Sequence, residues 1–259
     1  MANKEHLNID YKKHVEYLPS TKKVLTGRLA ERFGKEQGAA LWEKTRRIYE
    51  AFVADMPYTG GSKNPMAHSL YDSIACFAYW EAMPEDRKET VREFTETVAL
   101  VFNGDPSRKK RNPDFLTANN AVLMKIVSVL LRIVFAPMNK TVVSGKWNNA
   151  WRLKINPNKP AEGMQLKLIG CPVADFAKKH GYMELMPAMC NPDYDNMPEF
   201  GIHLIRPKTV GMGYGVCDYR FVGDKSESAK RSPVRMDEKG FLVNDIPYED
   251  KKKDAPDEI

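Results

Sequence analysis

The sequence predicts an α+β fold, with a helical N-terminal half packed on a small antiparallel sheet in the C-terminal half. Three observations predict it. Up to about residue 140, apolar residues recur at helical spacing. From 151 to 222 they alternate with polar residues in short runs. A turn-rich stretch, 156–163, joins the first two runs as a hairpin would. The layout is one α+β domain over residues 1–222, helical over 1–140 and sheet-containing over 141–222. A charged tail follows over 223–259.

The elements read in order. Lys22 to Phe33 carries Val24, Leu25, Leu29 and Phe33 on one stripe and stops at Gly34. Glu36 to Met56 places Leu41, Trp42, Ile48, Tyr49, Phe52 and Val53 at helical spacing, and Pro57 ends it. Ala67 to Met83 follows. Pro84-Glu85-Asp86 then reads as an acidic helix start, with that helix closing near Asn103-Gly104. Asp105 to Asp114 is a loop whose four consecutive basic residues, Arg108 to Arg111, read as a solvated run. Ala121 to Ala136 is apolar but shorter than the roughly 20 residues of a membrane span. Its Lys125, Ser128 and Arg132 share one narrow stripe. It reads as a mostly buried central helix of a soluble domain, closed by Pro137. Trp151 to Ile155 and Met164 to Ile169 read as one antiparallel pair, Phe200 to Arg206 and Val216 to Val222 as another. Cys171-Pro172 opens a helix that ends at His180-Gly181. Beyond Gly223 half the residues are charged and few are apolar, so a mobile or surface-wrapping tail is expected, with Phe241 to Val243 as its docking point.

Composition narrows the function classes. The chain has 259 residues, 42% of them hydrophobic, and 40 Lys and Arg against 34 Asp and Glu, for a net charge of +6. That surplus suits an anionic small molecule, and no aromatic residues interleave with the basic run as a base-stacking surface requires. No nucleic-acid partner and no membrane partner are expected. Four cysteines without a CxxC pair argue against a disulfide scaffold or a zinc ribbon. Met1 to Lys13 lacks the apolar core of a signal peptide, so a cytoplasmic location is expected. A homo-oligomer is compatible with all of this.

Cys171 is the leading candidate for chemistry. It follows a strand and precedes a Pro suited to the first helical position, where amide donors and the helix dipole favour a thiolate. A buried, inert thiol is the alternative. Cys190 lies in a turn with Asp193 close by, and Cys217 leads Asp218 on a strand. The spacing of residues 171, 190 and 217 matches no zinc motif, and no metal is assigned. Cys76 reads as core. The stretch from Tyr58 to Met66 is the other candidate. Gly60 and Gly61 let backbone amides approach an anion, while Lys63 and Asn64 help hold a carboxylate or phosphate. It lacks the spacing of a nucleotide P-loop, and no cofactor is expected. His68 and Tyr71 follow within reach of that loop. An interhelical connection with a structural His explains the same residues without function.

The motifs of the C-terminal half resemble a known family. Cys171-Pro172, the turn at Gly181, Cys190-Asn191-Pro192-Asp193-Tyr194, Arg206-Pro207-Lys208-Thr209 leading to Gly213, and Cys217-Asp218-Tyr219-Arg220-Phe221 stand in one order. Together they are similar to the L-2-amino-thiazoline-4-carboxylic acid hydrolase family over roughly Met164 to Val222. The Gly-Gly-x-x-Asn-Pro stretch is similar to a subset of its members. The resemblance implies opening of a small cyclic amidine that carries a carboxylate. It raises Cys171 and Cys217 as site residues without saying which one attacks, with Asp218 or His68 as proton carriers. Gly60, Gly61, Lys63, Asn64, Tyr71, Cys190 and Asp193 are the expected substrate-binding residues. The competing class is a non-catalytic small-molecule binding or sensing protein with a cysteine-lined pocket. Distances among the cysteines, Asp218 and His68 discriminate the two.

Overall fold

The computed structural model describes residues 19–105, 110–147, 150–195 and 197–245. The N-terminal stretch read for a signal, Arg108 and Lys109 of the basic run, and the tail beyond Asp245 lie outside the described residues. The fold is α+β: eight α-helices among the described residues, most of them in the N-terminal half, and a four-stranded antiparallel sheet in the C-terminal half. Chain contacts divide it into two compact units that interleave in sequence. A helical unit takes Met1–Pro106, Trp147–Asn149 and Pro172–Pro192; a sheet unit takes Ser107–Lys146, Ala150–Cys171 and Asp193–Ile259.

In the helical unit, α1 (Pro19–Phe33), α2 (Lys35–Asp55) and α3 (Ala67–Ala82) follow the apolar stripes of the sequence closely. Every residue of α3 from Leu70 to Tyr79 is buried, as a helix apolar on all sides must be. Its polar members are satisfied internally. Thr21 Oγ1 donates to Asp72 Oδ1 at 2.6 Å, and the Tyr79 hydroxyl donates to Glu89 Oε1 at 2.6 Å. Burial pushes the Glu89 carboxyl up, against the lowering pull of Tyr79 and Arg28. The next helix, α4 (Val91–Asn103), begins seven residues after Pro84. The start read at Pro84-Glu85-Asp86 is only a 3-10 turn. Thr90 and Glu93 form a capping box, and two reciprocal bonds there outweigh the weaker Pro-acidic signal. α6 (Pro172–His180) and the short α7 (Met186–Cys190) complete this unit. Phe176 on α6 and Tyr182 beyond it stack on Phe77 of α3 at 5.8 and 5.3 Å.

In the sheet unit the strand order is β1 (Arg152–Ile155), β2 (Met164–Ile169), β4 (Val216–Gly223), β3 (Ile202–Lys208), all antiparallel. Both expected pairs form, and β2 with β4 joins them. One sheet face carries Leu166, Leu168, Cys217, Tyr219 and Phe221. Near Phe221 this face packs with Met164, Ile155 and Ile202 against Met124 and Leu131 of α5 (Ala121–Val143). The other face carries Gln165, Lys167 and Asp218, with Ile205 and Val222 covered by Ala229 of α8 (Glu227–Arg231).

One expectation fails here, and another holds in part. α5 runs through Pro137 to Val143, and only 17% of its most apolar window is buried. The polar stripe is turned toward the protein instead: Ser128 is buried, and the Arg132 guanidinium donates to the Ile155 carbonyl. Residues 223–245 are also structured. They form α8 and the hairpin β5 (Val234–Met236) with β6 (Leu242–Asn244), anchored by Phe241 at 2% exposure.

Candidate functional site

The sheet unit gathers a buried polar centre around the start of β4. Cys217 and Tyr219 share one face of that strand because side chains alternate, while Asp218 points to the other. Facing Tyr219 across the ladder, β3 is irregular between Ile205 and Lys208, where Arg206-Pro207 sits. A Pro cannot donate to the ladder, so the strand bulges, and a bulge re-aims its side chains. Arg206 is 0% exposed. Its Nη1 donates to Asp193 Oδ2 at 2.8 Å and its Nη2 to the Leu242 carbonyl at 3.1 Å. The guanidinium lies 4.8 Å from the Tyr194 ring centroid. The Tyr219 hydroxyl donates to the same Asp193 Oδ2 at 3.0 Å, and the Asn244 side chain accepts from both Tyr194 and the Arg206 amide.

Asp193 is the wet end of this network, its side chain 40% exposed. Desolvation lifts its carboxyl above the ordinary range, against the lowering effects of Arg206 and Tyr219. Cys171, Asp193 and Arg206 all lie close enough to the Cys217 sulfur to bias its charge. Burial pushes the Cys217 thiol up to about 12, although the Val210 amide donates to its sulfur at 3.3 Å. Cys217 is therefore a neutral thiol at physiological pH. Cys171 differs: it is half-buried and immediately precedes α6, with Pro172 as the first helical residue. Of this pair, only Cys171 combines access with a helix N-terminus.

Thiol alkylation separates the two. At pH 7.5 iodoacetamide is expected to modify Cys171, and Cys171→Ala should remove one equivalent of modification in the folded protein. Cys217 should stay unmodified until the protein is denatured. Mass mapping of Cys217 as the fastest-labelled site would overturn this assignment.

The other expected residues divide between two environments. Asp218 is locked on the opposite sheet face, where it accepts from Gln165 Nε2 at 2.9 Å and stands 3.8 Å from Lys167 Nζ. That position removes it from Cys217 and makes it a buried charge partner. Gly60, Gly61, Lys63, Asn64, His68, Tyr71 and Cys190 belong to the helical unit. Gly60 has φ 104° and packs under Trp147, whose ring leaves no room for a Cβ. Asn64 is spent on the loop itself, while the buried Thr59 hydroxyl has no partner among the described residues. Asn64 donates to the Thr59 carbonyl at 2.6 Å and accepts from the Met66 amide at 2.9 Å. The Lys63 and Asn64 amides close the turn onto the Gly60 and Gly61 carbonyls, so these two donors are engaged within the loop. Lys63 is exposed and Tyr71 fully buried. His68, 62% exposed, stands 3.3 Å from the carboxylate of Asp72 one helical turn away, an exposed imidazole over a buried acid. Cys190 ends α7 and is half-buried; Cys76 is core, as expected.

A family model for L-2-amino-thiazoline-4-carboxylic acid hydrolase matches residues 64–221, more than half of the chain. The chain belongs to that family. No curated protein and no solved structure matches it. The hydrolase match takes in Cys171, Asp193, Arg206, Cys217 and Tyr219, and it starts after Gly60, Gly61 and Lys63. Arg206, Tyr194 and Tyr219 are the members of this buried polar centre that sequence reading did not assign. A signal for Arg206 was present: an Arg-Pro pair inside an apolar strand run marks a bulge. Among the described residues, no group of three or more His, Cys, Asp or Glu side chains is placed to hold a metal ion.

Proposed function

We propose that this hydrolase-family protein opens small cyclic amidines or imines that carry a carboxylate, attacking the carbon of the carbon–nitrogen double bond with Cys171. The observation that carries the reading is the assembly, in one unit, of an accessible thiol before a helix, a partly exposed carboxylate and a buried guanidinium around Cys217. In the proposed step the Cys171 sulfur bonds to the carbon and the C=N electron pair moves to nitrogen, which takes a proton. The tetrahedral carbon then expels a ring heteroatom, and water displaces the sulfur to release the opened product. Asp193 carries the proton between water and leaving group in this scheme. Its position supports that role better than Asp218, whose carboxylate is committed to Lys167 and Gln165. The variant in which Asp193 activates water directly, with the thiols as lining, uses the same carboxylate.

The test is hydrolysis of a panel: 2-aminothiazoline-4-carboxylate, its descarboxy analogue, and non-sulfur cyclic amidines. Ring opening is followed by product mass and new-thiol titration. The carboxylated thiazoline should turn over best. Because Asp193 must be ionised to take a proton, kcat/KM should fall as pH drops, with a midpoint above the ordinary Asp value near ~3.9. Tight binding of the panel with no turnover at any pH would move the protein to the binding or sensing class.

A further inference from the structure

Helix α5 wears its apolar side outward. Val122, Ile126, Val129, Leu130, Ile133 and Val134 project from one face, with exposures from 51% to 66%. The helix is fixed in that orientation. Its Met124, Ser128 and Met138 are buried, the Arg132 guanidinium holds the Ile155 carbonyl, and Asn139 exchanges two hydrogen bonds with the Leu153 backbone. At 23 residues, or about 35 Å, it is long and apolar enough to cross a bilayer by composition. Arg132 and Asn139 tie it to β1, which holds it against the sheet. It presents a flat apolar strip instead.

Charge flanks this strip on one side. Lys125 and Arg132, seven residues apart, form its edge, and the same two line a cavity of about 630 Å³. Lys159 and Lys225 add to that lining, where Glu162 is the one acidic residue. Lys225 is paired with Asp114, but Lys125 and Lys159 have no acidic partner among the described residues. The cavity lies at the Gly163 end of β2, five residues, or roughly 16 Å, along the strand from Leu168, the cross-strand partner of Cys217. It is distinct from the thiol centre.

We propose that α5 lies in the plane of an anionic membrane, its apolar face at the acyl boundary and the exposed Lys125 and Lys159 edge against lipid phosphates. An apolar face bordered by basic side chains is what such a helix uses to sit at the headgroup–acyl boundary. The unpaired positive charge at this border is complementary to an anionic phospholipid surface, which is why that surface is the occupant chosen over a second copy. The proposal departs from the sequence-based expectation of no membrane partner. The inference is independent of the proposed reaction.

The full chain should sediment with vesicles of phosphatidylserine and phosphatidylcholine, less so as salt rises, and weakly with phosphatidylcholine alone. Ile133→Asp should weaken binding about tenfold or more, the scale of losing one buried side chain. Lys125→Glu with Lys159→Glu should remove the preference for anionic vesicles, at about fivefold per lysine. Both positions are exposed, so circular dichroism and hydrolytic turnover should stay at parent values. Absence of vesicle binding would overturn the proposal. A concentration-dependent dimer that Ile133→Asp dissolves, without vesicle binding, would assign the face to a second copy.

Discussion

Replacing Cys171 by Ala is expected to lower turnover of the carboxylated thiazoline by ~10²-fold or more, with KM little changed. Removing a nucleophile abolishes the covalent route and leaves whatever the remaining groups achieve with water. Cys171→Ser should fall nearly as far, because a hydroxyl near neutral pH is far less ionised than a thiol at a helix terminus. Cys217→Ala should behave differently, since its thiol is buried and held neutral. Its loss leaves a small void and an unpaired Val210 amide, so it should act on stability and KM more than on kcat. Steady-state kinetics of the three variants, with thermal melts alongside, decide it. If Cys171→Ala keeps full turnover while Asp193→Asn loses it, the thiol route is wrong and Asp193 works on water.

The two cysteines illustrate what the sequence could carry. Strand alternation placed Cys217 and Tyr219 together and Asp218 on the opposite face, and the structure agrees. Their different accessibility depends on how β3, β4 and the Val210 turn enclose Cys217, which is a tertiary fact with no local signature. Arg206 was legible only as a break in a strand pattern. Its partners Asp193, Leu242 and Asn244 lie 13 to 38 residues away.

Helix existence was written plainly in period and punctuation. α1, α2 and α3 keep the expected limits to within a few residues. The start of α4 was misread because a Pro-acidic cluster was weighted over the Thr90–Glu93 box. α5 failed for a deeper reason. Periodicity reports which side of a helix is polar, not which side is covered, and burial was inferred from apolarity. Here the polar stripe makes the contacts with β1, so the usual rule is inverted along that helix. Average charge pointed to a mobile or surface-wrapping tail, and Phe241 to Val243 marked the point where it docks. Two apolar residues, Phe241 and Val243, suffice to anchor a short hairpin.

Arg206→Ala is expected to cost about 3 kcal/mol of stability or more, the lower end of the range for breaking a buried ion pair. The lower end applies because Asp193 stays partly exposed and water can take up some of the lost bonding. The loss is nonetheless broad. The substitution removes the 2.8 Å bond to Asp193, the 3.1 Å bond to the Leu242 carbonyl that ties β6 to β3, and the guanidinium on the Tyr194 ring. Arg206→Lys keeps the charge but lacks the planar fork that reaches Asp193 and Leu242 at once, so it should recover only part of the stability. The pH profile gives a second readout. Arg206 lowers the Asp193 pKa, so removing its charge lets desolvation act unopposed by that cation and the carboxyl titrates higher. The acid limb of kcat/KM should then move to higher pH in Arg206→Met and much less in Arg206→Lys. Urea denaturation of the three variants and their pH–rate profiles test both halves. A stability cost under about 1 kcal/mol for Arg206→Ala, the net worth of one ordinary hydrogen bond, would mean that this network does not hold the unit together. An unmoved acid limb in a stably folded Arg206→Met would take Asp193 out of the proton-transfer step.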